Sequence, residues 1–337
     1  MDDARRLGLA CAVLVVGAAA ACGDDVASGN DAAIFADGGG SGADAGPPPD
    51  DAPKPAAKFI PKPTAMCPGF AKGDGCEQDA VSLICTFEPK GVPARKARVW
   101  LDDGARDGGG ALVFFWHGLS RMASDAILPG AGLGLDVEQS IVASGGVLVA
   151  PEKEEGRETG FAKLPWIGAL GGTGEGDNKD DDYLVMDEVV ACAIEKLDID
   201  VGRIHSTGIS AGGLQTGQVI ARRSGYLASA VVFSGGMSGT PMIQDPKNKL
   251  PVMIFWGGMN DMVLINFQQT SLDMRKRLDF YEQFSILCNH EMGHMVPVEG
   301  AQAGWHFLQD HPYGTVPSPY KNALPDFVPD YCSLDAP

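Results

Sequence analysis

The chain has 337 residues, with 44 acidic against 26 basic side chains and a formal net charge of -18. So acidic a balance disfavours nucleic acid and other polyanions as partners. A hydrophobic content of 45% is enough for a full core and excludes a chain that is disordered throughout.

Arg5 and Arg6 precede an apolar run from Leu7 to Ala21, too short for an ordinary membrane-spanning helix and shaped like a secretory signal. The run closes on Ala19-Ala20-Ala21-Cys22-Gly23, which resembles a bacterial lipoprotein cleavage site, with Ala19 where that pattern usually has Leu. Residues 1–22 are therefore expected to export the protein, with Cys22 lipidated as its only membrane anchor. The alternative is ordinary cleavage, in which Cys22 leaves with the signal and the protein is soluble outside the cell. Residues 23–63 are mostly Asp, Gly, Ala and Pro, a composition that buries too little apolar surface to offset ordering entropy, and are expected to form a disordered linker. The folded block is expected over 64–337.

Six cysteines lie in that block: Cys67, Cys76, Cys85, Cys192, Cys288 and Cys332. An even count in an exported chain implies up to three disulfides. Crowding of the first three near the entry predicts that at least one of them pairs with Cys192, Cys288 or Cys332; the full pairing stays open. No pair or cluster has zinc-ligand spacing.

In chain order, residues 64–95 read as a Cys-stapled lead-in, and Ala97 to Leu101 as a strand followed by a hairpin-like turn at Asp102-Asp103-Gly104. The continuous apolar run Ala111–Trp116 has the character of a strand buried on both faces of a parallel sheet. A helix over about 133–143 leads to a strand at 146–151. A polar, glycine-rich loop from Glu152 to Asp181 follows, with Trp166 inside it, and Asp182 is placed to cap a helix running to about Leu197. Strands at 203–209, 229–234, 251–256 and 284–288 then alternate with helices after Ser210, near 268–283 and around 305–311. Such βα alternation predicts one α/β domain, doubly wound with a mostly parallel sheet. The acidic cluster Glu175, Asp177, Asp180, Asp181 and Asp182 fits no calcium-loop spacing and is read as a solvated loop ending in a helix cap, so no metal is expected.

Gly208-Ile209-Ser210-Ala211-Gly212 is a Gly-x-Ser-x-Gly between a strand and a helix. The glycines let strand and helix approach closely, and the serine is pushed out on a strained turn at a helix N-terminus. A serine nucleophile needs a base and a carboxylate to orient it, and in this topology they follow in the order Ser, acid, His, each past a strand's carboxyl end. Asp261 stands just beyond the 251–256 strand and His294 just beyond the 284–288 strand. His290 is the rival base, but Gly293 permits the tight loop that would lower His294 toward Ser210; His306 and His311 fall in the terminal helix. Asn260, Asp245 and Asp273 are weaker acids by position. Backbone N–H groups of Ala211, and of Gly118 and Leu119 after the 111–116 strand, are the candidate oxyanion donors. His117 precedes the nucleophile and is read as bracing that loop at the substrate-facing side, with Trp166 offering a flat face to bound substrate.

Phe115-Trp116-His117-Gly118, Asp181-Asp182-Tyr183, Arg203-Ile204 running into Gly208–Gly213, Gly258-x-x-Asp261 and Gly293-His294-x-x-Pro297 together resemble the secreted polyhydroxybutyrate depolymerase and feruloyl esterase-like branch of the α/β-hydrolases over about residues 108–312. The resemblance implies a cofactor-free serine esterase with Ser210, Asp261 and His294 as its triad, acting on small, aromatic or polymer-linked esters. The alternatives are a serine peptidase of the same fold and a catalytically silent surface binding protein. Acyl and alcohol specificity, and oligomeric state, are not legible.

Overall fold

A computed structural model describes residues 52–154, 156, 164–166, 168–169, 180–237 and 239–335. The signal run, Cys22, most of the expected linker and most of the 152–181 loop, including Glu175 and Asp177, lie outside the described residues. Thirteen strands are present among the described residues: β1 Ala71–Lys72, β2 Gly75–Asp79, β3 Ser82–Phe87, β4 Arg95–Trp100, β5 Gly110–Trp116, β6 Val147–Pro151, β7 Ile199–Ile209, β8 Ser229–Phe233, β9 Val252–Trp256, β10 Met262–Val263, β11 Ile265–Asn266, β12 Ser285–Asn289 and β13 Cys332–Ser333. Five α-helices accompany them: α1 Leu135–Ala143, α2 Asp181–Lys196, α3 Ala211–Arg223, α4 Phe267–Phe280 and α5 Val298–Asp310.

Eleven strands form one sheet in the order β1-β2-β3-β4-β6-β5-β7-β8-β9-β12-β13, and β10 and β11 form a separate two-stranded ribbon. The six from β6 to β12 run parallel, while β2, β3, β4 and β13 extend the edges with antiparallel pairings. This is the expected mostly parallel α/β sheet. The apolar runs explain its middle. All seven residues of β5 are buried, and alternate side chains serve opposite faces. Leu112, Phe114 and Trp116 join the layer that contains Val189, Leu214 and Leu278, and Val113 and Phe115 join the one that contains Ile141 and Phe307.

Several expected details differ. Asp102 begins a short 3-10 turn, Asp103–Arg106, in place of a hairpin turn, because β4 pairs with β3 and β6. Asp180, not Asp182, occupies the position before α2; Asp182 is buried and bonded to Arg95 at 3.0 Å. Asp181 is buried too, so these residues are not a solvated loop. The folded block also begins earlier than residue 64. Pro55 is buried, Ile60 packs against the core, and the Phe59 ring lies where a Cβ on Gly225 would fall, 2.4 Å from that position. The Glu188 carboxylate then accepts hydrogen bonds from the Thr64 and Ala65 N–H groups and the Thr64 hydroxyl.

Three disulfides close among the described residues. Cys67–Cys192 ties the lead-in to α2, as the crowding argument requires of one bridge. Cys76–Cys85 and Cys288–Cys332 join directly opposed residues of neighbouring antiparallel strands. Among the described residues no helix is long and apolar enough to cross a membrane.

Candidate active site

In a parallel sheet every strand ends at the same edge, so residues just beyond neighbouring strands become neighbours in space. Strands β7, β8, β9 and β12 are consecutive in the sheet. Directly past them come Ser210, Ser234, the Gly257–Asp261 turn and the His290–His294 loop. Backbone bonds link each step to the next: Ser210 N–H to Phe233 O at 3.1 Å, Ser234 N–H to Phe255 O at 2.8 Å, His290 N–H to Trp256 O at 3.0 Å.

Ser210 has φ 62°, a left-handed conformation that side chains avoid, and stands as the cap of α3. Two glycines make the turn possible. A Cβ on Gly208 would lie 2.6 Å from Gly212 O, and one on Gly212 would lie 1.8 Å from Trp116 O. The expected strand, strained turn and helix are all present around Ser210. Ala211 opens α3, so its N–H is among the first-turn donors with no partner inside the helix.

Asp261 and His294 are brought together. The His294 Nδ1–H donates to Asp261 Oδ1 at 2.6 Å, which leaves Nε2 unprotonated in the neutral ring. Asp261 Oδ2 accepts the Ser234 hydroxyl at 2.7 Å and the Gly257 N–H at 2.8 Å. Burial alone would push this fully enclosed carboxyl up, but the hydrogen bonds from His294, Gly257 and Ser234 outweigh it and hold it below its usual range. Gly257 has no room for a side chain, since a Cβ would fall 1.9 Å from Gly293 O, and Gly293 N–H bonds back to Gly257 O at 3.0 Å. The two loops thus close on each other and set the Asp–His pair. The Phe267 ring, at the start of α4, packs 4.8 Å from the imidazole, and its N–H bonds to Asp261 O at 3.0 Å.

His290 does not compete for the acid. It is buried, its Nδ1 accepts the Met292 N–H at 3.2 Å, and burial lowers its basicity. His311 is enclosed between Phe307 O and the Ser318 hydroxyl, and His306 packs on Phe327.

Gly118 lies against Ser210: a Cβ on it would be 3.3 Å from Ser210 Cβ. Its carbonyl accepts the His117 Nδ1–H at 2.9 Å and the Arg121 N–H at 3.3 Å. In a trans peptide the following N–H, that of Leu119, then points the other way. His117 and Trp166 need correction as substrate-facing residues. His117 is fully buried and burial lowers its pKa to about 4, while Trp166 is fully buried with its indole N–H on His117 O at 2.8 Å and its ring edge-on to Trp116 at 4.9 Å. Together they brace the Gly118 loop from beneath. Ser234 was missed by sequence reasoning, although Phe233-Ser234-Gly235-Gly236 past a buried strand repeats the strand, serine, glycine pattern of the Ser210 turn.

No family model and no curated protein matches the chain. Solved structures do. Native sOPH superposes with a TM-score of 0.58 at 18% identity, covering 79% of this chain and 96% of that one. A thermostable esterase matches with a TM-score of 0.52 at 19% identity over 69% of this chain and 63% of that one. A phospholipase/carboxylesterase from Dyadobacter fermentans DSM 18053 matches with a TM-score of 0.50 at 15% identity over 66% and 100%. With its parallel core, its strained serine turn and these neighbours, the protein has the α/β-hydrolase fold.

Proposed function

We propose that the protein is a serine-dependent carboxylic ester hydrolase. The observation that carries the reading is the 2.6 Å His294–Asp261 pair on the same sheet edge as a left-handed Ser210. Proteins of similar fold named as esterases agree with it.

Asp261 holds the imidazole in the tautomer that keeps Nε2 free. His294 Nε2 takes the Ser210 proton as Oγ attacks the ester carbonyl, and the oxyanion meets the N–H of Ala211 together with Gly118 or Leu119. The intermediate collapses: the alcohol leaves with the proton from His294, and the acyl group stays on Ser210. Water, deprotonated by His294, then attacks the acyl-enzyme, and the carboxylic acid is released as His294 returns the proton to Ser210 Oγ. No step needs a cofactor.

Exposed apolar side chains flank Asp261 and His294 in sequence. Met259 is 76% exposed, Met262 60% and Leu264 63%, all within three residues of Asp261, and Met292 stands two residues before His294. Such exposure favours apolar, bulky or polymer-linked esters over small charged ones. The order of parts supports export, with Cys22 as a lipid tether and the acidic stretch after it as spacer. Ser210→Ala tests the assignment: turnover of a soluble short-chain nitrophenyl ester should vanish with the thermal transition unchanged, and retained activity would end it.

A further inference from the structure

We propose that Ser234 is a positioning residue of this site, fixing the Asp261 carboxylate through its hydroxyl. The inference rests on the ester-hydrolase reading above.

Ser234 is fully buried directly past β8, with φ 41°. A left-handed residue is ordinarily glycine, and the next two positions are glycines, yet this one carries a side chain. That side chain has a specific partner, Asp261 Oδ2 at 2.7 Å. An ionised carboxylate only accepts, so the hydroxyl must donate. Gly257 N–H meets the same oxygen at 2.8 Å, so Oδ2 is held from two sides and Oδ1 is presented to His294. Turning the carboxylate would break all three bonds at once.

The backbone of Ser234 adds a second tie. Its N–H bonds to Phe255 O, and the carbonyl of the preceding Phe233 accepts the Ser210 N–H. The turn that carries Ser234 therefore touches both the nucleophile's peptide and the acid. Strain in a buried non-glycine residue at a site edge persists only where its surroundings impose it.

Removing the hydroxyl leaves the carboxylate more basic and its hold on the imidazolium tighter. The base then stays protonated to higher pH. The test compares Ser234→Ala, which keeps the strained backbone, with Ser234→Gly, which relaxes it; both lack the hydroxyl. Expected for both is a fall in kcat of about tenfold on a soluble nitrophenyl ester, from the loss of one hydrogen bond to a charged group. KM should stay within about twofold, and the acid limb of the kcat profile should move to higher pH. Wild-type kcat and acid limb in both variants would overturn the proposal, as would wild-type behaviour in Ser234→Gly alone, since the backbone would then suffice. Failure of both to fold would assign Ser234 to the fold and overturn it equally. An inactive wild-type protein whose Ser210 resists a fluorophosphonate would instead sink the ester-hydrolase reading beneath it.

Discussion

His294 Nδ1 and Asp261 Oδ1 stand 2.6 Å apart, and among the described residues the other hydrogen bonds of that carboxylate are made by its second oxygen. In Asp261→Asn the amide oxygen can keep the Ser234 and Gly257 donors, which turns the NH2 group toward His294 and forces Nδ1 to accept. The proton then moves to Nε2, where a base is needed. We expect kcat to fall on the order of a thousandfold or more with the fold preserved, as checked by steady-state kinetics beside circular dichroism.

The buried histidines predict acid sensitivity. Burial lowers His117 and His311 to about 4 and His205, fully enclosed beside Ser229, to about 3. The unfolded chain takes up these protons near pH 6.5 and the folded one does not. Stability is thus full above about 6.5, falls as pH drops through that value, and goes on falling until the folded pKa values are reached. The melting temperature should decline steadily from pH 7 to pH 4, and His311→Gln should flatten the decline. A melting temperature constant over that range would contradict the assignment of neutral buried rings.

The exposed apolar side chains that flank Asp261 in sequence should matter only for bulky substrate. Replacing Met262 and Leu264 together by Ser should leave kcat/KM on a soluble short-chain ester within about twofold and reduce turnover of an emulsified or polymeric ester several-fold, because apolar contact area is lost there. Equal loss on both substrates would place these residues in the site itself.

Export and tethering are testable apart from the chemistry. Cys22→Ser should move the protein from the membrane fraction to the soluble fraction of the native host, with activity per molecule on a soluble ester unchanged. A wild-type protein already soluble and beginning after residue 22 would rule out the tether.

The parallel core was legible because Ala111–Trp116, 229–234 and 251–256 are unbroken apolar runs, and a strand buried on both faces needs no alternation. The Asp261–His294 pairing was legible for a similar reason: each residue lies in the loop past a buried strand. The edge strands were not. In β2 only Cys76 is buried, so its polar composition reads as a loop, and the two-residue β1 and β13 carry no pattern at all. Trp166 looked available because it stands in a polar, glycine-rich stretch; only the fold places His117 and Trp116 against it. Pro55 and Phe59 were assigned to a linker on composition, which is blind to docking by a few apolar contacts and the Glu188 anchor that follows. Ser234 carries a chemistry-bearing side chain on a strand end, but a lone serine has no partner in sequence; Asp261 is its neighbour only across the sheet.

The most direct test of the account is covalent. Incubation of the folded protein with a fluorophosphonate should add one phosphonyl group, mapped by peptide mass spectrometry to Ser210, with loss of nitrophenyl-ester turnover in step with labelling and no adduct on Ser210→Ala. Ester hydrolysis that continues undiminished while Ser210 stays unmodified, or a stoichiometric adduct on another residue, would contradict it.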